Sequence, residues 1–587
     1  MWAHKDCEPT DTIKRIKNIL LEIGIPVHVT DRDSFSDYCH SVRLELKGIP
    51  GVGANGKGPT KSLALASAHA EFIERLLNRV IFRESYGSYG LMKMHDHQLP
   101  DSVEIPYGQL LDKQGNVLEC LFKDDPQTLS IPRNRMFECV PFYNVTCKTI
   151  EYLPLRLIKH ACITNGMCAG NTPEEALAHG LCEICERYVK RHISTFEEQC
   201  EIPTIPSSTI NRDRELSQLI RTLKEDGYNV IIKDCSFGGR FPVVATIIAH
   251  NGKCRVRFGS DPVFSIAVER CIIETFQGIG SSHTVFDSVA KHIDISIKTK
   301  NPAYFEAASL LLSSGKPRHA QAFQNKFNGN KDALKYLIGS IQEKGYKIYV
   351  RDVSYLGFPT YHIFIPGMSE LEKLSRNTLD IICNSDFVKQ CLLGLKKATA
   401  SNMRKCLKML DKSLQSPLSF RTTEEMINVM SEIKLEESVD YDDFQAPEYL
   451  LALMSNRIGD YEKAFKYVNT IINKYSFESS ETLIFFLCSL LYFKFKSLSN
   501  LKEEHQFTLE EFYGKDLAEE VISLFSKPHN TFQKLTLPEC GNCSLCQVWK
   551  HCYFDKWKEL DLKVIKKMKE CPIEQSRLAK YFQTFSN

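Results

Sequence analysis

Hydrophobic and polar positions follow the same order in two separate stretches of the chain. Residues 219–248 and residues 337–365 each show helical periodicity, a Gly-Tyr pair, an apolar run ending near an Asp, a turn with Phe-Pro, and a second apolar run. This order predicts a helix followed by two strands. Residues 12–46 repeat it in weaker form, with a helix over residues 12–23 and alternating apolar side chains at Val42, Leu44 and Leu46.

The repetition predicts the α/β fold class, as a domain of repeated αββ units around mixed sheets with acidic helices between them. Residues 81–150 show no clear periodicity and are expected to be irregular. Residues 395–445 are polar and rich in Lys, Ser and Glu, which favours a helical linker.

One acidic helix is preceded by a turn rich in Gly and Asn, over residues 165–171. Thr172 and Pro173 mark the helix start, because Thr caps the first N–H groups and Pro fits the first turn. Glu183 and Glu186 are three residues apart and share one face of this helix. Free N–H groups at a helix start attract phosphate, and paired carboxylates suit Mg²⁺.

The same order of parts occurs upstream, where an Asn-Gly turn over residues 55–60 precedes a second predicted helix. From Thr60 to Glu71 this helix would measure about 16 Å, roughly the length of a nucleoside triphosphate. Its polar face carries Ser67, Glu71, Glu74 and Arg75. A third predicted helix, over residues 262–278, carries Arg270, Glu274 and Gln277.

Two explanations of these charged helices remain open. Because buried unpaired carboxylates are costly, the simpler alternative is three solvated helix faces with Glu–Arg pairs. Recurrence of the Gly and Asn turns favours a carboxylate cluster that holds Mg²⁺ and an anionic ligand. Residues 51–58 also match a dinucleotide fingerprint and most of a P-loop, but Gly58 stands where a P-loop has Ser or Thr. We expect these glycines to form a phosphate cradle.

As an ordered set, these motifs resemble the YcaO family. The chain contains N-G-x-x-A-G-N-T-x-x-E-A and E-x-x-E-R from Asn165, N-G-K-G-x-T-K and E-x-x-E-R from Asn55, P-x(4)-A-x-x-R-x(3)-E-x-x-Q-G from Pro262, and I-P-G-M-S from Ile365. The resemblance covers about residues 1–390.

The resemblance implies that ATP and Mg²⁺ are the cofactors, which the family uses to activate a backbone amide of a peptide. The implied ATP-binding residues are Lys5, Thr12, Ser67, Arg75, Cys168, Asn171, Glu175, Arg187, Arg270 and Gln277. The implied Mg²⁺ ligands are Glu71, Glu74, Glu183, Glu186 and Glu274. Cys168 stands where the family often has Ser. No residue is assigned a catalytic role.

Chain length, the helical C-terminal region and two short segments are most similar to enterobacterial members of the family. Those members act as accessory factors for β-methylthiolation of an aspartate in a small-subunit ribosomal protein. The implied partners are a ribosomal protein or other peptide substrate, and a radical-SAM methylthiotransferase. One alternative is an enzyme that forms a thioamide or an azoline in a peptide. A second is a non-catalytic scaffold ordered by nucleotide.

Chain length, net charge and cysteine content add expectations about domain number, binding partners and location. A chain of 587 residues predicts two or three domains, and a net charge of +2 gives no reason to expect direct binding to nucleic acid or membrane. The longest apolar run, residues 482–493, is too short to span a bilayer, and the first residues lack a signal-peptide pattern. With 22 cysteines, these features predict a cytoplasmic protein with reduced thiols.

The expected organisation has four parts: a YcaO ATP-binding domain (1–390), a helical linker (391–445), a tetratricopeptide-like helical module (446–530) and a Cys-rich tail (531–587). The module is expected to dock partners or to form a homodimer. The tail has C-x-x-C-x-x-C-x(5)-C spacing, which favours a tetrathiolate Zn²⁺ site, with an iron–sulfur cluster or free thiols as alternatives. Its residues are Cys540, Cys543, Cys546 and Cys552.

Overall fold

The protein is represented by a computed structural model. It describes residues 5–36, 39–49, 51–81, 99–195, 202–250, 253–277, 323, 327–415, 434–435, 447–477, 479–498, 501–537 and 554–585. These residues form two compact units. The first contains the described residues of 1–84, 98–374 and 560–587, and the second contains those of 375–559.

Helices occur in both units. They are α1 Pro9–Glu22, α2 Lys61–Leu77, α3 Tyr107–Leu121, α4 Leu155–Cys162, α5 Pro173–Thr195, α6 Ser207–Ile210, α7 Arg214–Glu225, α8 Phe264–Phe276, α9 Asn330–Glu343, α10 Arg376–Leu393, α11 Ala400–Gln415, α12 Pro447–Arg457, α13 Tyr461–Lys474, α14 Ser480–Leu498, α15 Glu503–Tyr513, α16 Lys515–Ser526, α17 Pro528–Gln533, α18 Phe554–Glu570 and α19 Arg577–Gln583.

The strands lie mainly in the first unit. They are β1 Val27–Ser36, β2 Cys39–Leu46, β3 Gly53–Gly58, β4 Val103–Pro106, β5 Met136–Asn144, β6 Thr149–Pro154, β7 Met167–Ala169, β8 Asn229–Asp234, β9 Val243–His250, β10 Lys253–Ser260, β11 Tyr349–Asp352, β12 Thr360–Phe364, β13 Lys434–Leu435 and β14 Leu535–Thr536.

One arrangement occurs three times in the first unit: a helix followed by two paired strands. The copies are α1-β1-β2, α7-β8-β9 and α9-β11-β12, so the predicted αββ repetition is confirmed, including its weaker first copy. In each copy a further strand pairs with the second strand: β3 with β2, β10 with β9, and β7 with β12. Each further strand leads into a helix, which is α2, α8 or α5 respectively. These three are the predicted acidic helices.

The pairing direction differs from the prediction of mixed sheets. Each ladder between named strands of the described chain is antiparallel. The reason is local: the two strands of each αββ unit are joined by a short connection, which allows an antiparallel neighbour but no crossover.

Threonine side chains begin two of the acidic helices, as predicted. The Thr60 hydroxyl accepts a hydrogen bond from the Leu63 N–H at 3.2 Å, at the start of α2. The Thr172 hydroxyl accepts one from the Glu175 N–H at 3.1 Å, at the start of α5. Each cap satisfies a backbone donor that has no partner within its own helix.

The predicted Asn-Gly turn and phosphate cradle at residues 55–58 are wrong. Residues Gly53–Gly58 are strand β3, and the glycines allow this strand to lie directly against α2. A Cβ atom on Gly56 would come within 2.0 Å of the Ala64 carbonyl oxygen. Close strand–helix packing therefore explains a glycine pattern that resembles a nucleotide loop.

The prediction that residues 81–150 are irregular is wrong for the described part, from Leu99 onward. This part contains α3, β4, β5 and the start of β6. Strand β5 pairs with β4, β6 and the distant β11, and its Val140, Phe142 and Tyr143 side chains are buried. Long-range pairing rather than local periodicity decides the structure here.

The second unit is helical. Helices α12 and α13 pack against each other, and α14 packs on α13. The connection between α12 and α13 contains Gly459, whose φ of 79° favours glycine. Helix α11 belongs to the region predicted to be a linker, yet its Met403, Cys406, Leu407 and Leu410 are buried in the core of this unit. The helices are confirmed as helices, whereas their likeness to a tetratricopeptide module stays a prediction.

The last described residues return to the first unit. Arg577 binds Asp352 at 2.6 Å, and the Gln575 side-chain amide makes two hydrogen bonds with the Asp352 backbone, at 2.8 and 2.9 Å. The Phe582 ring stacks on Tyr143 with 5.8 Å between ring centroids. None of the described helices is both long and apolar enough to cross a lipid bilayer.

Candidate nucleotide and magnesium site

Helix α5 organises the candidate site. Glu175, His179 and Glu183 follow each other at four-residue spacing, and Glu186 comes three residues later. Side chains with this spacing lie along one stripe of a helix. The stripe connects two clusters of polar side chains, one at the start of α5 and one near its middle.

The cluster at the start of α5 is a hydrogen-bonded network. Glu175 accepts from the Lys5 ammonium at 3.1 Å, the Asp6 backbone N–H at 3.1 Å and the Asn171 side-chain amide at 3.1 Å. The Thr12 hydroxyl donates to the Asn171 amide oxygen at 2.8 Å. The sequence-predicted Lys5, Thr12, Asn171 and Glu175 are therefore brought together.

Glu175 is ionised within this network. Burial raises the pKa of its carboxyl, but the Lys5 charge and the hydrogen bonds from Asp6 and Asn171 outweigh burial, so the pKa lies below its ordinary value. The network fixes the N-terminal segment and the first turn of α5 as one wall of the site.

The second cluster, called the acidic cluster below, contains Glu71, Glu74, Glu183, Glu186 and Glu274. Glu71 binds Arg75 at 2.5 Å and Glu183 binds Arg187 at 2.7 Å, both one helical turn apart. Glu274 of α8 forms an ion pair with Lys57 of β3. The cluster thus joins carboxylates from α2, α5 and α8.

Negative charge in the acidic cluster is only partly balanced. Burial and then the Glu183 and Glu71 charges raise the pKa of Glu74 well above its ordinary value. Burial also raises the pKa of Glu186, against the opposing charge of Arg187. Arg75, Arg187 and Lys57 form ion pairs with Glu71, Glu183 and Glu274, whereas burial favours the neutral forms of Glu74 and Glu186. A hard divalent cation bound by carboxylate oxygens would favour the ionised forms of these two, so the residues fit Mg²⁺.

From their burial and their partial exposure, we infer that the ionic side chains line a cavity. Burial is the main influence on the pKa of Lys57, Glu74 and Glu186, which places them deep in the protein. Yet the side chains of the paired residues remain 22% to 38% exposed. Groups that are deep and still reach water lie on the wall of a cavity, where a charged ligand can bind.

Arg270 of α8 is held by two groups that precede its own helix. It binds Asp261 at 3.1 Å and donates to the Ser260 carbonyl oxygen at 2.8 Å. Gln277, the next predicted ATP contact on the same segment, is half-buried directly after α8. Ser67 is half-buried on α2, one turn before Glu71.

Cys168 differs from the other predicted ATP-binding residues because its thiol is fully buried. Its Sγ lies 3.8 Å from the Tyr361 carbonyl oxygen and belongs to the hydrophobic core behind α5. A Cβ atom on Gly180 would come within 2.8 Å of this sulfur. The thiol is therefore packed between α5 and β12.

Three charged or polar residues of the site were missed by sequence reasoning: Lys57, Asp6 and His179. Lys57 lies within the Asn-Gly-Lys-Gly motif, but that motif was interpreted as a backbone cradle. Asp6 accepts from the Thr172 hydroxyl and from the Asn330 amide, the latter at 2.9 Å. His179 could have been found from its four-residue spacing to Glu175 and Glu183.

As the side chains stand, no three His, Cys, Asp or Glu side chains of the described chain are grouped to hold one metal ion. Arg75, Arg187 and Lys57 engage three of the carboxylates instead. Cys540, Cys543, Cys546 and Cys552 lie outside the described residues, so their metal site stays a prediction.

Comparison with known proteins places this site in a family. The family model described as YcaO cyclodehydratase, ATP- and Mg²⁺-binding, matches residues 55–369, more than half of the 587 residues. The chain belongs to the YcaO family. The matched range contains the acidic cluster, Asn171, Glu175 and Arg270, so the expected family and its ATP- and Mg²⁺-binding character are confirmed.

Two curated relatives extend the similarity of this YcaO chain. The ribosomal protein S12 methylthiotransferase accessory factor YcaO of Escherichia coli is 28% identical over 397 residues. An uncharacterized protein of Haemophilus influenzae is 27% identical over 389 residues. Each match covers 62% of this chain and 66% of the relative, so the chain spans slightly less than two thirds of either relative.

A solved YcaO structure was also matched. YcaO from Methanopyrus kandleri, bound with AMPPCP and Mg²⁺, is 17% identical, with a TM-score of 0.40. The match covers 62% of this chain and 92% of that one.

Proposed function

We propose that this YcaO chain binds ATP with Mg²⁺ in the cavity along α5 and uses it to activate a peptide or protein amide. The observation that most directly supports nucleotide binding is the arrangement of two polar clusters along one helix. Glu175 and Glu183 are eight residues apart, which corresponds to about 12 Å along an α-helix. Clusters at this separation suit the two ends of a nucleoside triphosphate.

Residues of different charge would bind different parts of the nucleotide and its metal ion. Lys5, Thr12, Asn171 and Glu175 would hold the end of the nucleotide at the start of α5. Carboxylates of the acidic cluster would hold Mg²⁺. Bound ATP would supply a phosphoryl group that makes an amide oxygen a good leaving group. Arg75, Arg187 and Arg270 carry the positive charge that can stabilise negative charge developing on that group.

We further propose that the chain is an accessory factor for β-methylthiolation of a small-subunit ribosomal protein. The Escherichia coli relative, whose name states such a role, supports this proposal. A radical-SAM methylthiotransferase would be the partner that carries out the reaction. The tetratricopeptide-like helices of the second unit would dock a partner or a second copy of the chain.

Intact-mass measurement of small-subunit ribosomal proteins tests this role. Cells with the gene, without it, and with a Glu183→Gln copy are compared. Loss of a methylthio-sized mass from one protein in the last two strains is expected. Unchanged masses in all three strains would contradict the accessory role, although MgATP binding could still hold.

A second candidate is a peptide-modifying enzyme that forms a thioamide or an azoline. The family description as a cyclodehydratase favours it. It predicts ATP turnover that depends on a peptide, with loss of water or exchange of oxygen for sulfur in that peptide. Peptide masses identical in strains with and without the gene would contradict it.

The four tail cysteines are proposed to form a Zn²⁺ site, with an iron–sulfur cluster as the alternative. Metal analysis of the purified chain checks this. Substituting Cys543 and Cys546 by Ser is expected to remove the bound metal. Equal metal content in parent and variant would contradict it.

A further inference from the structure

Helix α11 of the second unit has one apolar face and one cationic face. The apolar face is buried in the core of that unit. The other face carries Arg404, Lys405 and Lys408, which are exposed and lie three or four residues apart, so their side chains share one surface. The single carboxylate of α11, Asp411, is bound by Lys463 at 2.9 Å. The exposed cations of α11 are therefore not balanced within their own helix.

This cationic surface continues onto α12 and α17, because α12 packs against both α11 and α17. Arg404 donates to the Ile458 carbonyl oxygen at 3.5 Å, and the preceding residue, Arg457, ends α12. The Arg457 guanidinium lies over the Phe532 ring, 5.9 Å from its centroid, and donates to His529 Nδ1 at 2.7 Å. The continuous surface, called the basic face below, consists of Arg404, Lys405, Lys408, Arg457 and His529.

His529 adds a hydrogen-bond donor to the basic face rather than a negative charge. An arginine side chain has donors only, so His529 Nδ1 is the acceptor in its pair with Arg457, and the ring proton is on Nε2. His529 is exposed, which leaves its Nε2–H accessible to a ligand. Arg457 thus contacts a neutral ring and keeps its positive charge unbalanced.

Within the described part of the chain, no carboxylate forms an ion pair with a cation of the basic face. Lys405 contacts an aromatic ring instead, with 4.4 Å from its ammonium nitrogen to the Phe387 centroid. Exposed carboxylates of the same unit lie on α15 and α16, for example Glu504 and Glu519. The net charge of +2, from which no nucleic-acid binding was expected, does not reveal this separation. A surface of unbalanced cations attracts polyanions.

We propose that the basic face binds the phosphate backbone of RNA and thereby holds the chain on the RNA that accompanies its ribosomal-protein substrate. Arginine and lysine donors match phosphate oxygens. None of the large hydrophobic side chains exposed in the described chain belongs to α11, α12 or α17, so the face has no apolar group to insert into a lipid surface. The choice of RNA as the polyanion rests on the proposed accessory role.

Fluorescence anisotropy with a labelled RNA hairpin tests the basic face in the full-length chain without nucleotide. Lys405→Gln together with Lys408→Gln is expected to weaken binding about 10-fold and to reduce the slope of log affinity against log salt concentration by about 2, because two phosphate contacts are lost. Lys502→Gln together with Lys515→Gln is the matched control: these exposed lysines of the same unit pair with carboxylates, and unchanged RNA affinity is expected.

Arg457→Gln tests the α12 and α17 part of the basic face, and weaker RNA binding with a lower salt slope is expected there too. RNA affinity equal to wild type in the Lys405 and Lys408 double variant, or a wild-type chain that binds no RNA, would overturn the inference. Polyglutamate or phosphatidylserine vesicles bound as tightly as the hairpin would overturn RNA as the partner. The accessory role is tested separately by ribosomal-protein masses, and its failure would leave the measured RNA affinity unchanged.

Discussion

Individual ionisable residues around the cavity are held in charge states that differ from those they adopt in water. Glu175 is ionised despite burial, because Lys5 and two further hydrogen-bond donors, the Asp6 N–H and the Asn171 amide, surround it. Glu74 is pushed toward its neutral form by burial and by two neighbouring carboxylates. Perturbed groups of opposite direction within one cavity are typical of binding and catalytic sites.

Glu269 provides a pH-dependent test at this scale. It is 6% exposed, and burial raises its pKa to about 7, with Asp213 and Glu215 adding to the rise and Arg270 opposing it. A carboxyl that is harder to ionise in the folded chain destabilises the fold once ionised. Wild-type stability is therefore expected to fall as pH rises from about 4.5 through 7, relative to Glu269→Gln.

The difference between wild type and Glu269→Gln is expected to shift by about 2 to 3 kcal/mol in favour of the variant between pH 5 and pH 8. Urea unfolding at both pH values measures it, with the exposed Glu225→Gln as the control. A difference independent of pH would show that Glu269 ionises normally in the folded chain.

Sequence reasoning found the acidic residues at this scale but not their partners. Glu71–Arg75 and Glu183–Arg187 follow from four-residue spacing on one helix. The Lys57–Glu274 pair joins residues more than two hundred positions apart, and Cys168 is buried behind α5. No local pattern encodes such contacts, because they depend on how strands and helices pack.

At the scale of elements, three strand–helix junctions position the acidic helices. β3 leads to α2, β7 to α5 and β10 to α8, and each junction has a glycine in close contact with the following helix. Added Cβ atoms would lie 2.0 Å from Ala64 O at Gly56, 2.6 Å from Ala176 N at Gly170 and 2.3 Å from Ala267 O at Gly259. Close approach brings the three helix faces to one cavity.

Gly56→Ala tests this role of close packing. The methyl group cannot fit against the α2 backbone, so we expect a loss of at least about 3 kcal/mol in unfolding free energy. Gly339→Ala is the matched control, because this helical glycine has open space around it and alanine favours helix by about 0.5 to 1 kcal/mol. A Gly56→Ala chain as stable as the parent would show that β3 is not fixed against α2.

Prediction of elements succeeded where periodicity was local. The αββ copies have strongly amphipathic helices followed by apolar strands, as in α7, whose Leu216, Ile220 and Leu223 are buried. It failed for β3, which was predicted as a turn because Gly and Asn favour turns. It also failed for α3 and β4–β6, whose pairing depends on distant strands.

At the scale of the molecule, the chain returns to its first unit after the helical second unit. Arg79 donates to both oxygens of Asp561, at 2.7 and 2.9 Å, and Asp561 is essentially inaccessible to solvent. Asp352 is bound by Arg577, and Leu578 and Phe582 join the core that contains α5. Segments separated by hundreds of residues therefore complete one unit, which local sequence patterns do not reveal.

Asp561→Asn tests whether the contact between Asp561 and Arg79 stabilises the first unit. Because Arg79 would keep its charge in a largely buried position, we expect a loss of about 3 kcal/mol in unfolding free energy. Asp112→Asn is the control: Arg133 binds both Asp112 oxygens, but the pair is exposed, so almost no change is expected. Denaturant unfolding measures both. Equal effects would show that the buried Arg79–Asp561 pair stabilises the first unit no more than an exposed pair does.

The central claim is that MgATP binds through the acidic cluster, and calorimetric titration of MgATP into wild type and Glu183→Gln tests it most directly. The account predicts binding to the wild type, affinity weakened about 10- to 100-fold in Glu183→Gln, and no change in the Glu225→Gln control. Wild-type affinity in Glu183→Gln would remove this carboxylate from the site. A wild-type chain that does not bind MgATP would contradict the claim as a whole.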